Sequence, residues 1–238
     1  STLVASPCAK VSAHACLVFV SFCRGGNGKD NCGVSVPKDG LLPYLPDVLM
    51  ALASGPLSVD VSDPAKVNGG AVTVLVRAIN AVACLADASG ADFAPYYSNI
   101  MPGLLGCSQF GLQVDPNGGV RAAGASAGLS HDFATLRGSA IESATIVGEA
   151  VEDESLFVPD AEKIVGTLLP ILKSIEAGNE AASSFIPMDQ LLAASARIAS
   201  VMGERYAQFM PAVLPHLLKR VREEAEVSVV EGDDAGLE

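Results

Sequence analysis

The residues whose types and spacing come nearest to covalent chemistry lie in one tract. Gly124-Ala-Ser126-Ala-Gly128 fits the G-x-S-x-G pattern of a serine nucleophile, and His131 and Asp132 follow just beyond it. Such a nucleophile needs a buried strand before the serine and a helix starting at it, so that the hydroxyl sits on a strained turn beside backbone donors. The preceding residues, Asp115-Pro-Asn-Gly-Gly-Val-Arg, cannot form that strand. The match is read as a by-product of a Gly/Ala/Ser-rich loop, with His131 and Asp132 expected to begin the next helix. Gly25-Gly-Asn-Gly28-Lys29 is shaped like a phosphate loop, but Cys23 stands where the first glycine belongs and Asp30 where Ser or Thr would hold magnesium. It is read as a turn. His14 and Cys16 are close, yet the paired ligand spacings of zinc sites are missing. His216 is read as a partly exposed surface residue. No catalytic, cofactor-binding or metal-binding residue is expected, and the chain is not expected to be an enzyme.

A different kind of chemistry is carried by a polar row. Asn80 and Asp87, Glu142 and Glu149, and Arg197 and Glu204 occupy equivalent columns, and the members of each pair are seven residues apart. That spacing places both on one face of a helix. An ordinary solvated helix face is the simple reading. If the helices stack, the columns line up into a mixed but mainly acidic ladder, with Arg197 as the member that does not fit.

The elements that would hold this row emerge from internal repeats. Leu41-Leu-Pro-Tyr-Leu-Pro-Asp-Val-Leu aligns with Phe93-Ala-Pro-Tyr-Tyr-Ser-Asn-Ile-Met and with Tyr206-Ala-Gln-Phe-Met-Pro-Ala-Val-Leu. Leu41, Phe93 and Tyr206 share a column, as do Tyr44, Tyr96 and Phe209, then Val48, Ile100 and Val213, then Leu52, Leu104 and Leu217. A fourth copy starts at Phe157 and places Ile164, Leu168 and Leu169 in register, with Asp160 in the aromatic column. These spacings give one face of a helix, the A helix of each unit. A second kind, the B helix, is rich in small residues and ends at Ala81 to Ala86, Ser143 to Gly148 and Ile198 to Gly203, with an earlier copy over Ala13 to Cys23. Gly148 and Gly203 suit a helix C-terminus or a close crossing. The order is B helix, tight turn, A helix, longer loop.

This pattern predicts an all-α HEAT-repeat solenoid, a right-handed superhelix of antiparallel helix pairs. The units fall at about residues 1–40, 41–90, 91–151, 152–205 and 206–226. Loops rich in Gly, Ser, Pro, Asn or Asp are expected at Gly25 to Gly40, Gly55 to Pro64, Gly111 to Ser130 and Gly178 to Pro187. Residues 111–130 are expected to be a flexible, exposed insertion with little to bury, and residues 227–238 an acidic tail or loop. Neither end resembles a polar capping repeat, so a fragment of a longer chain is expected.

Half of the 238 residues are hydrophobic, enough for a sizeable core, while aromatics are only 5% and Trp is absent. Small side chains favour closely stacked helices over a sandwich or barrel. Fifteen basic residues against twenty-seven acidic ones give a net charge of -12, which argues against direct binding of nucleic acid. From Arg222 to Glu238 seven acidic residues face one basic residue, half of that total. The six cysteines show no C-x-x-C pair and read as small, reduced core residues. The apolar stretch Val11 to Cys23 is too short to span a bilayer, and Arg77 interrupts Val67 to Leu85, so no membrane insertion is expected.

In this register the sequence resembles the importin-beta (karyopherin-beta) family, in the karyopherin-beta-three or importin-five type. The resemblance rests on Phe93-Ala-Pro-Tyr-Tyr97 leading to Met101-Pro-Gly-Leu-Leu105, on Leu136-Arg-Gly138 with Ile141-Glu142 and Gly148-Glu-Ala-Val151, and on Gly203-Glu-Arg-Tyr206 leading to Phe209-Met-Pro211. It implies a superhelical carrier that shuttles between cytoplasm and nucleus and binds basic protein cargo on a concave wall of B helices, here through Asn80, Asp87, Glu142, Glu149, Arg197 and Glu204. It also implies release by the small GTPase Ran through regions outside this segment, contact with nucleoporins, and no cofactor. The alternative is a HEAT-repeat scaffold of the phosphatase-regulatory kind, which uses the same repeat to hold other proteins together.

Overall fold

The computed structural model describes residues 3–24, 38–60, 63–115, 119–122 and 130–216, together with 218 and 222. The Ser126 tract, the turn at Gly25 to Lys29 and the acidic end at 227–238 lie outside the described residues.

The first B helix is α1 (Ala9–Arg24). After a single turn, α2 (Lys38–Leu41), comes the A helix α3 (Leu45–Ser54). The B helix α4 (Gly69–Ser89) leads into the A helix α5 (Ala94–Ser108), α6 (Ser130–Ala150) into α7 (Glu154–Glu176), and α8 (Met188–Met202) into a 3₁₀ stretch, Gly203–Phe209, that continues as helix over 210–216. His131 and Asp132 sit in the first turn of α6, as their sequence suggested.

Two of the long helices start where a side chain satisfies a free N–H group, and α3 and α5 start with a proline in their first turn instead. Asn68 Oδ1 accepts from the Ala71 N–H at 2.9 Å ahead of α4, and Asp153 Oδ1 accepts from the Ser155 N–H at 2.9 Å ahead of α7. Hydrogen bonds from Ser155 hold the Asp153 carboxyl below its ordinary range. The B helices stack in chain order, α1 on α4, α4 on α6, α6 on α8, and the A helices flank them, with α5 against both α6 and α7. Their contact faces are made of small residues: Ala78, Ala81 and Ala86 on α4 and Ala140, Ala144 and Gly148 on α6 are buried. A Cβ at Gly148 would overlap the Phe157 ring, so this glycine is required by the crossing of α6 and α7. Gly203 instead serves the turn, with φ +53°.

The A helices bury Leu45, Leu49 and Leu52 on α3 and Tyr97, Met101 and Leu104 on α5. The buried face therefore passes one residue beyond the aligned aromatic column: Tyr44 is 65% exposed and Tyr96 half-buried, whereas Leu45 and Tyr97 point inward. Tyr97 donates its hydroxyl to Asp160 Oδ2 at 2.9 Å, tying α5 to α7. Burial, reinforced by that bond, pushes the phenol well above its usual range. Phe93, Phe133 and Phe157 are fully enclosed, each contributing about 2–3 kcal/mol of apolar burial.

One expectation changes. Residues 111–130, read as an exposed loop with little to bury, contain a hairpin: β1 (Leu112–Val114) pairs antiparallel with β2 (Val120–Ala122), Val114 opposite Val120. Asp115 closes its turn by accepting from the Gly119 N–H at 2.8 Å, and Val120 is buried in the common core. The Gly178 to Pro187 loop also feeds the core, through Ala182, Phe185 and Ile186.

α4 is long and apolar enough to cross a bilayer by composition, yet it is the central core helix of the stack. Apolar side chains stay exposed on the outermost helices: Val11, Val18 and Phe22 on α1, Met210 and Leu214 at the other end.

Candidate functional site

The six residues of the polar row fall into one repeating pattern. Across three stacked B helices the first member is half-buried and the second exposed: Asn80 then Asp87 on α4, Glu142 then Glu149 on α6, Arg197 on α8 then Glu204 two residues beyond its end. The cause is helical geometry. Seven residues is close to two full turns, so both members of a pair share a face, and the second lies at or just beyond the end of its helix, in solvent.

Between α6 and α8 the row is physically joined. Glu142 Oε1 lies 3.8 Å from Arg197 Nη2, and Gln190 Nε2 reaches Glu142 Oε2 at 3.3 Å. Arg197, the odd member by charge, thus has its partner within the row. Gln190 escaped notice in the sequence, although it stands seven residues before Arg197 and so on the same face of α8. Its amide fits over Gly138, where a Cβ would overlap Gln190 Oε1. On α4 the same face adds Arg77, exposed and three residues before Asn80. Among the described residues no ion pair engages Asp87, Glu149 or Glu204.

The side chains considered for chemistry are otherwise occupied. His14 is exposed and its Nδ1 lies 2.7 Å from the Lys10 carbonyl of its own helix. Cys16 is fully buried, and burial pushes its thiol up to about 11, so it stays protonated and a poor metal ligand near neutrality. Burial pushes Cys107 up to about 11 as well; Cys23 reaches about 11 through burial and, next, the nearby Cys84 and Asp87. Cys8 is exposed, unlike the core role expected of the cysteines. Among the described residues no group of three His, Cys, Asp or Glu side chains is arranged to hold a metal ion. His216 is partly exposed, with 10% of its side chain open to solvent and Nε2 3.6 Å from Glu176 Oε1.

A stack of antiparallel helix pairs with B helices packed in chain order defines an α-solenoid of the HEAT type. The chain is similar to importins of the karyopherin-beta-three type. It is 23% identical to importin subunit beta-3 of Saccharomyces cerevisiae over 235 residues, 99% of this chain and 17% of that protein. It is 25% identical to a probable importin-5 homolog of Dictyostelium discoideum over 161 residues, 68% of this chain and 13% of that protein. Among solved structures, Kap121p bound to Pho4p matches 88% of this chain and 15% of that one, with a TM-score of 0.58 at 22% identity, a likeness of fold. No protein-family model matches. The chain thus spans about one sixth of the length of these relatives. The relatives named here are importins, and none carries the name of an enzyme or a phosphatase scaffold.

Proposed function

We propose that this segment forms part of the cargo-binding wall of a nuclear transport receptor that carries basic proteins into the nucleus in a Ran-dependent cycle, shuttling between cytoplasm and nucleus. The observation that carries this reading is the repeated row on α4, α6 and α8, which leaves Asp87, Glu149 and Glu204 exposed at equivalent ends of stacked helices. Three carboxylates in series suit an extended basic segment, because each Lys or Arg meets a new acidic position as the peptide crosses the stack. The importin names of the relatives support the receptor class, and one structural neighbour is described as bound to Pho4p. Ran would act through regions beyond this segment.

Nucleoporins would use another surface. An apolar cavity of about 210 Å³ opens among α3, α4 and α5, walled by Leu57, Val59, Ile79, Ile100 and Leu104, with Asn99 at its lining. Apolar walls of that size suit one large side chain of a partner.

Hydrogen exchange of the full-length protein with and without a lysine-rich peptide tests the cargo reading. Protection is expected near the C-terminal ends of α4, α6 and α8, with α3, α5 and α7 unchanged. Protection confined to the A helices, or none in this segment, would contradict it.

A further inference from the structure

The bridge between α6 and α8 is built in an unusual way. Glu142 reaches from one helix to the other, held on Oε2 by the Gln190 amide at 3.3 Å and faced on Oε1 by Arg197 Nη2 at 3.8 Å. The second distance is an ion pair but too long for an N–H···O bond. A settled Arg–carboxylate pair makes two parallel bonds of about 2.8 Å. Arg197 has no second hold either: its Nη1 is buried without a hydrogen-bond partner. The Arg197 side chain is 28% exposed and that of Glu142 35%. The carboxylate therefore keeps an open side, and the guanidinium beside it is loosely held.

We propose that Arg197 is a built-in competitor for basic cargo, a cation of the wall itself that occupies Glu142 and must yield it before a lysine or arginine of the ligand can bind there. The proposal rests on the cargo reading of the row and adds how its affinity is set. Two effects act in the same direction. Arg197 neutralises the one carboxylate of the row that lies between two B helices, and its charge repels an approaching cation. Asp87, Glu149 and Glu204 attract the ligand; Arg197 limits how tightly it settles. A partly exposed pair of this geometry contributes little, so a ligand cation that brings neighbouring contacts can replace it.

Binding of a fluorescein-labelled lysine-rich peptide to the full-length protein tests this at low salt. Arg197→Met is expected to tighten binding roughly threefold. Arg205→Met is the charge control: it removes the same charge from an exposed position that is not paired with Glu142, and should give a clearly smaller gain. Glu142→Gln should change little in the wild-type background, where Arg197 already holds the carboxylate, and should erase the gain when combined with Arg197→Met. Circular dichroism checks folding, and Arg197→Gln, which keeps a polar side chain of moderate length, replaces the Met variant if that one unfolds. Unchanged or weaker binding by folded Arg197→Met, an equal gain from Arg205→Met, or a gain that survives Glu142→Gln would each overturn the proposal. If reversing Asp87, Glu149 and Glu204 leaves peptide binding untouched, the cargo reading fails and takes this proposal with it. If that reversal weakens binding while Arg197→Met does not tighten it, only the competitor role is lost.

Discussion

Arg137 is 2% exposed, and its guanidinium is spent on backbone rather than on a carboxylate. Nε donates to the Phe185 carbonyl at 2.7 Å and Nη1 to the Phe110 carbonyl at 2.8 Å. One side chain on α6 thus fixes the end of the preceding A helix region and the loop before the following B helix. Burial pulls its pKa down to about 10, still high enough to keep the charge near neutrality. Arg137→Met would strand two buried carbonyls, and a loss of about 2–4 kcal/mol is expected, with Arg137→Lys recovering part of it. Thermal melts of the two variants check this; an unchanged melting temperature in Arg137→Met would show that the bonds contribute nothing. Leu136-Arg-Gly138 is thus a structural knot in this protein: Arg137 pins the loops and Gly138 admits the Gln190 amide.

At the scale of elements, the fold depends on abrupt B-to-A turns. Three of them use a left-handed residue: Gly90 at φ +59°, Glu152 at φ +54° and Gly203 at φ +53°. A Cβ at Gly203 would meet open space, so the cost of Gly203→Ala isolates backbone strain, about 1–2 kcal/mol. Glu152 bears that strain already, and Glu152→Gly is expected to stabilise by about 0.5–1 kcal/mol. Chemical denaturation of both variants tests the pair; stabilisation by Gly203→Ala would refute the turn argument. The alternation of helix types was legible in the sequence because large apolar residues recur at helical spacing and B helices end in small ones. The hairpin was not, since two strands of three residues are too short for a period-2 signal, and Asp115-Pro-Asn-Gly-Gly reads first as a loop. In the middle of α3 and α5 the buried positions ran one residue past the aligned columns, Leu45 and Leu49 beside Tyr44 and Val48, Tyr97 and Met101 beside Tyr96 and Ile100, whereas the aligned Leu52 and Leu104 are buried as expected; alignment follows residue size and cannot see which side packs. The pairing of Arg197 with Glu142 was hidden for a related reason. Columns describe one helix at a time, whereas the contact depends on the stagger between two.

For the whole molecule, the net charge of -12 has two parts. One belongs to the end of the chain from Arg222 onward, the other to the solenoid, where the B-helix row concentrates carboxylates on stacked elements. A general acidic lure and an ordered wall make different demands on the same total. The deciding measurement is the affinity of the full-length protein for a lysine-rich peptide over a range of salt, before and after changing Asp87, Glu149 and Glu204 together to Lys. Glu142 is left in place because Arg197 already faces it. Each exposed contact is expected to contribute only about 0.2–1 kcal/mol, so the three must be altered together. An ordered wall requires clearly weaker binding and a flatter salt dependence in the triple variant, with only a small effect from deleting residues 228–238 alone. Affinity and salt dependence that stay unchanged in a folded triple variant, or that collapse only when residues 228–238 are removed, would contradict the assignment of the B-helix row as the cargo site.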